Sequence, residues 1–138
     1  MTVAAPPMAP QFAEDLEFER GLIRIYRLLI PSAVSPRLRQ AWERGLALKR
    51  RHETELEGLL AGLGATPPAD RAASEAVPPA REILPWIVAG EHSLALRYRD
   101  RLRAADDAEM RRLVARWAAD QTAYEADLKR LYRDFSSS

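Results

Sequence analysis

The sequence predicts an all-α domain, a four-helix bundle with one long crossover between its second and third helices, and three observations carry that prediction. Apolar residues recur at steps of three and four along four separate stretches, the spacing that lines one face of a helix. The second and third stretches are parted by residues 65–79, ATPPADRAASEAVPP, which hold four prolines and no periodic apolar pattern. No stretch shows the pattern of a strand. The chain has 138 residues, an ordinary size for one domain, and its 47% hydrophobic content supplies a core that needs no staple. Four amphipathic helices in so small a domain can bury their stripes only against one another.

Residues 1–10 are expected to be a flexible segment ahead of a bundle domain at 11–135. Helix 1 is predicted over about 11–30, with Phe12, Leu16, Glu19, Ile23, Tyr26 and Ile30 on one face. Phe18, Leu22, Ile25 and Leu29 widen that face, and Pro31 stops the helix. Its acids Glu14, Asp15 and Glu17 come early, where the helix dipole favours negative charge. Helix 2 opens on Ser35, an oxygen cap, followed by Pro36 at the first helical position. It runs to about Leu63, with Leu38, Trp42, Gly45, Leu48, His52, Leu56, Leu59 and Leu63 facing inward, and Gly64 ends it. Arg44, Arg50, Arg51, Glu53 and Glu57 mark the solvated side.

The crossover at 65–79 is long enough to cross the height of a bundle at up to about 3.3 Å per residue, and part of it is expected to form a short helix around 70–76. Helix 3 is predicted at 80–104, with Leu84, Ile87, Val88, Glu91, Leu94, Ala95, Tyr98 and Leu102 inward and Pro85 tolerated near its start. Asp106 or Asp107 caps helix 4, whose stripe is Met110, Leu113, Val114, Trp117, Gln121, Tyr124, Leu128, Leu131 and Phe135.

Composition removes several kinds of function. Twenty-one basic residues nearly balance twenty acidic ones, for a net charge of +1, which argues against a surface built to hold nucleic acid or anionic lipid. The absence of cysteine removes disulfides, thiolate metal sites and thiol nucleophiles. The first residues, MTVAAPPMAPQF, do not read as a signal peptide, and no stretch approaches the roughly twenty apolar residues of a membrane span. A cytoplasmic protein is expected, with chemistry left to carboxylates, two histidines, hydroxyls or a cofactor.

Each stripe carries one polar residue where an apolar one would pack better: Glu19, His52, Glu91 and Gln121. Glu91 and Gln121 each lie fifteen residues from a turn centred near residue 106, so antiparallel helices place them at one height. From a turn near residue 33, Glu19 and His52 differ by about 7 Å at 1.5 Å per residue. A carboxylate and histidine metal site at Glu19, His52 and Glu91 is one reading, because divalent ions need charged oxygen and imidazole donors shielded from water. The plainer reading sets both glutamates at stripe edges with arginine partners and leaves His52 hydrogen-bonded or partly exposed. Against the two-metal template of one Glu from each of two helices and Glu-x-x-His from the others, the chain is deficient. Lys49 stands three residues before His52, and helix 4 offers Gln121 and Tyr124. An oxygen-activating paired iron centre is therefore disfavoured.

Other candidates have plain explanations. Glu55, which forms His-x-x-Glu with His52, is expected to be solvated or paired with Arg51. His92 is rotated about 100° from Glu91 and points outward. Trp42, Trp117, Tyr26, Tyr98 and Tyr124 read as core, and Trp86 lies off the stripe. The arginine runs at 97–103 and 111–116 read as solvated faces with paired charges.

The succession LRQAWERGLALKRRHETELEGLLAGLGATPP, then GEHSLALRYRDRL, then LVARWAADQTAYEADLKRLY resembles small bacterial ferritin-like four-helix domains of unknown function. The likeness covers about residues 12–133. It implies a ferritin-like bundle, often oligomeric, in a superfamily where metal binding is common. Glu19, His52 and Glu91 match residue types used there as ligands, whereas Lys49, Gln121 and Tyr124 depart from them. Two functions are expected from this. One is a non-enzymatic structural or stress-associated binding module, a homo-oligomer joined through a leftover apolar helix face. The alternative is a protein with a reduced site for iron, manganese or zinc. An adaptor that docks a partner helix in a groove is a third class.

Overall fold

The computed structural model describes residues 8–69 and 80–136. Among the described residues the fold has four helices, α1 (Ala9–Leu29), α2 (Pro36–Gly62), α3 (Ala80–Ala104) and α4 (Ala108–Ser136), with a 3₁₀ turn at Ile30–Ser32 between the first two. No strand occurs among the described residues, and no helix there is long and apolar enough to cross a membrane. The expected short helix at 70–76 and the first seven residues lie outside the described residues, as does the side chain of Phe135.

Local signals set most boundaries. The Ser35 side chain accepts the amide of Leu38 at 3.1 Å, with Pro36 behind it. Gly64 ends α2 at φ 76°, the left-handed conformation that favours glycine. Asp107, rather than Asp106, caps α4 by accepting the Met110 amide at 3.0 Å. Helix 1 departs from expectation at its start. Pro10 sits within its first turn, so the helix begins at Ala9 and its acids fall beyond that turn. Asp15 serves a different purpose: it is buried and held by Arg97 and Arg101 of α3. At its other end the α-helix stops at Leu29, ahead of Pro31 as expected, and Ile30–Ser32 form the 3₁₀ turn.

The inward stripe of α2 is Leu38, Trp42, Gly45, Lys49, His52, Leu56 and Leu60. Leu48 and Leu59 are half-buried and Leu63 is exposed, which corrects the stripe expected from the sequence. The cause is geometric, since a straight helix advances 3.6 residues per turn and that period carries the inner face through position 49. A rule that seeks leucine passes over the lysine.

Pairwise contacts define the topology. α1 packs on α2 and α3 on α4, while α1 also meets α3 and α2 meets α4. Asp15 pairs with Arg101 and Tyr26 with Glu91, so α1 and α3 are antiparallel. Arg37 pairs with Asp134 and Arg51 with Asp120, so α2 and α4 are antiparallel as well. Consequently α2 and α3 run in the same direction, and the chain joining them must return along the bundle. Arg20 marks that return: its guanidinium donates to the Pro68 carbonyl and to Glu53 and Glu57.

The core contains Phe12, Leu16, Tyr26, Trp42, Leu56, Ile87, Leu94, Tyr98, Trp117 and Leu128 among others. Trp86 is 40% exposed, as its position off the stripe implies. Gly45 is a required small residue. A Cβ there would meet the hydroxyl of Tyr124 and stand 2.5 Å from its Cζ, whereas a Cβ at Gly58 meets nothing within 4 Å. Gly58→Ala is expected to stabilise by about 0.5–1 kcal/mol through helix propensity. Gly45→Ala should instead destabilise by about 1–3 kcal/mol through overpacking. Urea midpoints of the two variants will show opposite signs.

Candidate functional site

The polar residues of the four stripes meet inside the bundle, and they fall into two groups. In the first, Lys49 Nζ lies 2.5 Å from Glu91 Oε1 and donates to Gln121 Oε1 at 3.1 Å. Gln121 Nε2 donates to Glu91 Oε1 at 2.7 Å and to the Glu91 carbonyl at 3.0 Å. Tyr26 donates to Glu91 Oε2 at 2.5 Å, and the Tyr124 hydroxyl proton is shared between Tyr26 Oη and the Ala41 carbonyl. Lys49, Glu91 and Gln121 are wholly buried. All four helices contribute, and both carboxylate oxygens of Glu91 are occupied.

In the second group, Glu19 Oε1 accepts the Tyr98 hydroxyl at 2.8 Å and lies 3.4 Å from His52 Nδ1. His52 Nε2 is 3.6 Å from Asp120 Oδ2, and Arg51 pairs with that carboxylate. Glu19 Oε2, His52 Nε2 and the indole nitrogen of Trp117 have no hydrogen-bond partner among the described residues. The imidazole is packed against the rings of Tyr98 and Trp117.

Helix geometry explains which residues met. Glu91 and Gln121 stand at one height, as their equal distances from the α3–α4 turn predict. Glu19 and His52 also meet, although counting residues leaves a gap. The 3₁₀ turn after α1 has a longer rise, about 2.0 Å per residue, and lengthens that arm. Side chains tilt toward the N-terminus of their own helix, so His52 leans toward the turn and Glu19 away from it. Both effects close the gap.

The plainer expectation needs correction too. Glu19 and Glu91 are interior residues rather than stripe-edge residues held by arginine; their partners are Tyr98 and His52 for the first and Lys49 for the second. Glu55 pairs with Arg116 rather than Arg51. His92 does point outward and binds Glu125.

Sequence reasoning noted Lys49 only as a departure from a template. The signal that it is interior was its place three residues before His52, one step along the same helical face.

The resemblance carried by the sequence raises the question of metal. Among the described residues, no group of three or more His, Asp or Glu side chains is placed to hold an ion. Glu19 and His52 adjoin each other, but Glu91 is committed to an ammonium, an amide and a phenol. α4 supplies Gln121 and Tyr124 where a paired centre needs a carboxylate and an imidazole. A buried ammonium also repels a divalent ion at short range. The donor set does not fit a metal pair.

Burial and neighbouring carboxylates shape the tyrosines. Burial, then the charge of Glu91, pushes Tyr26 well above the usual phenol range. Burial and Glu19 do the same for Tyr98. Tyr124 is raised for like reasons, and burial pushes Tyr132 up to about 12. At the rim, burial raises Asp15, and Arg101 and Arg97 partly oppose it.

With this geometry in hand, the fold is recognised as the ferritin-like four-helix bundle. A solved structure described as ferritin-like, diiron-carboxylate proteins from Bacillus anthracis str. Ames superposes with a TM-score of 0.78 at 24% identity, over 95% of this chain and 99% of that one. A conserved hypothetical protein from Mycobacterium tuberculosis gives a TM-score of 0.76 at 18% identity, over 88% of this chain and 94% of its own. No family model matches the chain, and no curated protein does. At these identities the likeness concerns the fold.

The raised tyrosines predict alkaline sensitivity. Each folded phenol holds its proton where the unfolded chain, with a pKa near 10, releases it. The unfolded state therefore binds fewer protons above about pH 10, and stability falls as pH rises from there. Phenolate absorbance should appear together with loss of helical circular dichroism. Phenolate growing while the helix signal stays intact would contradict the buried placement.

Proposed function

We propose that this protein is a non-enzymatic ferritin-like helical bundle, a structural or stress-associated binding module of the cytoplasm that self-associates. One observation carries the non-enzymatic part: Glu19, Lys49, His52, Glu91 and Gln121 are wholly buried, and both oxygens of Glu91 are bonded to neighbouring side chains. Neither the groove between α1 and α3 nor the cleft between α2 and α4 is lined by Glu19, Lys49, His52, Glu91 or Gln121.

Self-association is supported by the groove of about 290 Å³ between α1 and α3, lined by Phe18, Gly21, Leu22, Trp86, Ala89 and Gly90. The glycines keep its floor low, and Trp86 stands at its edge, large, apolar and 40% exposed. An aromatic beside a shallow apolar groove suits the matching face of a second copy. The wild-type protein is expected to sediment as an oligomer at micromolar concentration, with Trp86→Glu shifting it to monomer. Monomer alone across all concentrations would dismiss this part.

A second reading has a specific observation in its favour. Glu19 Oε2 and His52 Nε2 are buried polar atoms without hydrogen-bond partners among the described residues, the kind of group that a divalent ion satisfies. On that reading Glu19 and His52, with Glu91 as the third donor, bind one iron, manganese or zinc ion weakly. Metal analysis of protein purified without chelator decides between the two. Equal, substoichiometric metal in wild type and His52→Ala supports the first reading, and a stoichiometric ion lost in His52→Ala supports the second.

A further inference from the structure

The strongest anomaly in the molecule is an ammonium group at the centre of a fold whose interior can carry metal ligands. Lys49 is fully buried, and its Nζ touches Glu91 of α3 and Gln121 of α4. We propose that Lys49 is a built-in cation: its ammonium stands where a metal ion would meet Glu91, so that carboxylate is neutralised without metal and a latent ion site is closed. This rests on the metal-free reading above and deepens it.

Three observations support the assignment. The first is position. Lys49 lies three residues before His52 on the inner face of α2, so a carboxylate there would face the same interior as Glu19, His52 and Glu91. The second is charge balance. Glu91 is a buried carboxylate with one cationic partner, and the remaining neighbours, Gln121 and Tyr26, are neutral donors. A carboxylate at 121 would leave uncompensated negative charge in the interior. The third is bonding. Lys49 reaches one oxygen of Glu91 and the amide oxygen of Gln121 together, bringing α2, α3 and α4 to one centre as a bound ion would.

Lys49→Glu should therefore open the site. It removes the repelling charge and adds a third carboxylate to Glu19, Glu91 and the imidazole of His52, an oxygen-rich donor set that suits Mn²⁺. Wild type is expected to bind no Mn²⁺ in calorimetric titration and to melt at the same temperature with Mn²⁺ or with chelator. Lys49→Glu should bind Mn²⁺ stoichiometrically, and at about a hundredfold excess over its dissociation constant its melting temperature should rise by about 5–15 °C. A folded Lys49→Glu that binds no Mn²⁺ overturns the proposal.

A second pair of variants decides the matter if Lys49→Glu does not fold. Lys49→Met should lower the melting temperature sharply, and adding Glu91→Gln should return most of the loss, because the ammonium is needed only to balance that carboxylate. A double variant no more stable than Lys49→Met overturns the proposal. The two failures are distinct. A stoichiometric ion in wild type that is lost in His52→Ala removes the metal-free reading, whereas an ion-free wild type with an equally inert Lys49→Glu removes only this inference.

Discussion

A carboxylate buried at the centre of the bundle must be neutralised, and the arrangement of the interior follows from how Glu91 meets that demand. Lys49 supplies the positive charge, Gln121 and Tyr26 supply the remaining donors, and Tyr124 supports Tyr26. Because these partners come from all four helices, sliding any helix by one turn breaks several charge-assisted bonds together. Such a cluster is a weak source of net stability, since desolvation offsets most of the attraction. Its effect is to fix register, a task that interchangeable apolar contacts perform poorly.

The second constraint is the parallel course of α2 and α3, which sends the intervening chain back along the bundle. Arg20 secures that return by binding the Pro68 carbonyl while pairing with Glu53 and Glu57 of α2. On another face Asp15 binds Arg97 and Arg101 of α3. One buried charge of α1 thus anchors the return and another anchors α3. The apolar stripes provide the driving force for collapse, and the charged clamps select this connectivity among those that would bury the same stripes.

Much of the fold was legible because it rests on local signals. Ser35 and Pro36, Gly64 and Asp107 mark helix ends through chemistry that acts within four residues, and α3 begins and ends where its pattern places it. The α1 start was harder, since Pro10 belongs to either side of a first turn. The level pairing of Glu91 with Gln121 followed from counting, because the α3–α4 turn is short. That of Glu19 with His52 did not, because counting residues omits both the 3₁₀ rise and the tilt of side chains. Lys49 was missed for another reason. Hydrophobicity is a poor guide to a buried cation, and its burial depends on Glu91, a residue of the next helix beyond the crossover, which no local pattern shows.

The residues that stand where a paired metal centre needs carboxylates and imidazoles fit one another. Lys49 brings a positive charge, so α4 presents a neutral amide at 121 rather than a second carboxylate. Tyr124 fills the neighbouring space with a phenol, and that ring fits only because Gly45 has no side chain. The phenol in turn closes the chain of hydrogen bonds through Tyr26 to Glu91. Each residue satisfies a group that another would leave unpaired, and changing one at random would strand a buried charge or overfill a gap. The same fit limits what one substitution can do: on the proposal that Lys49 closes an ion site, removing the lysine opens only the side shared by Glu19, His52 and Glu91, while Gln121 and Tyr124 still withhold the ligands a second ion needs.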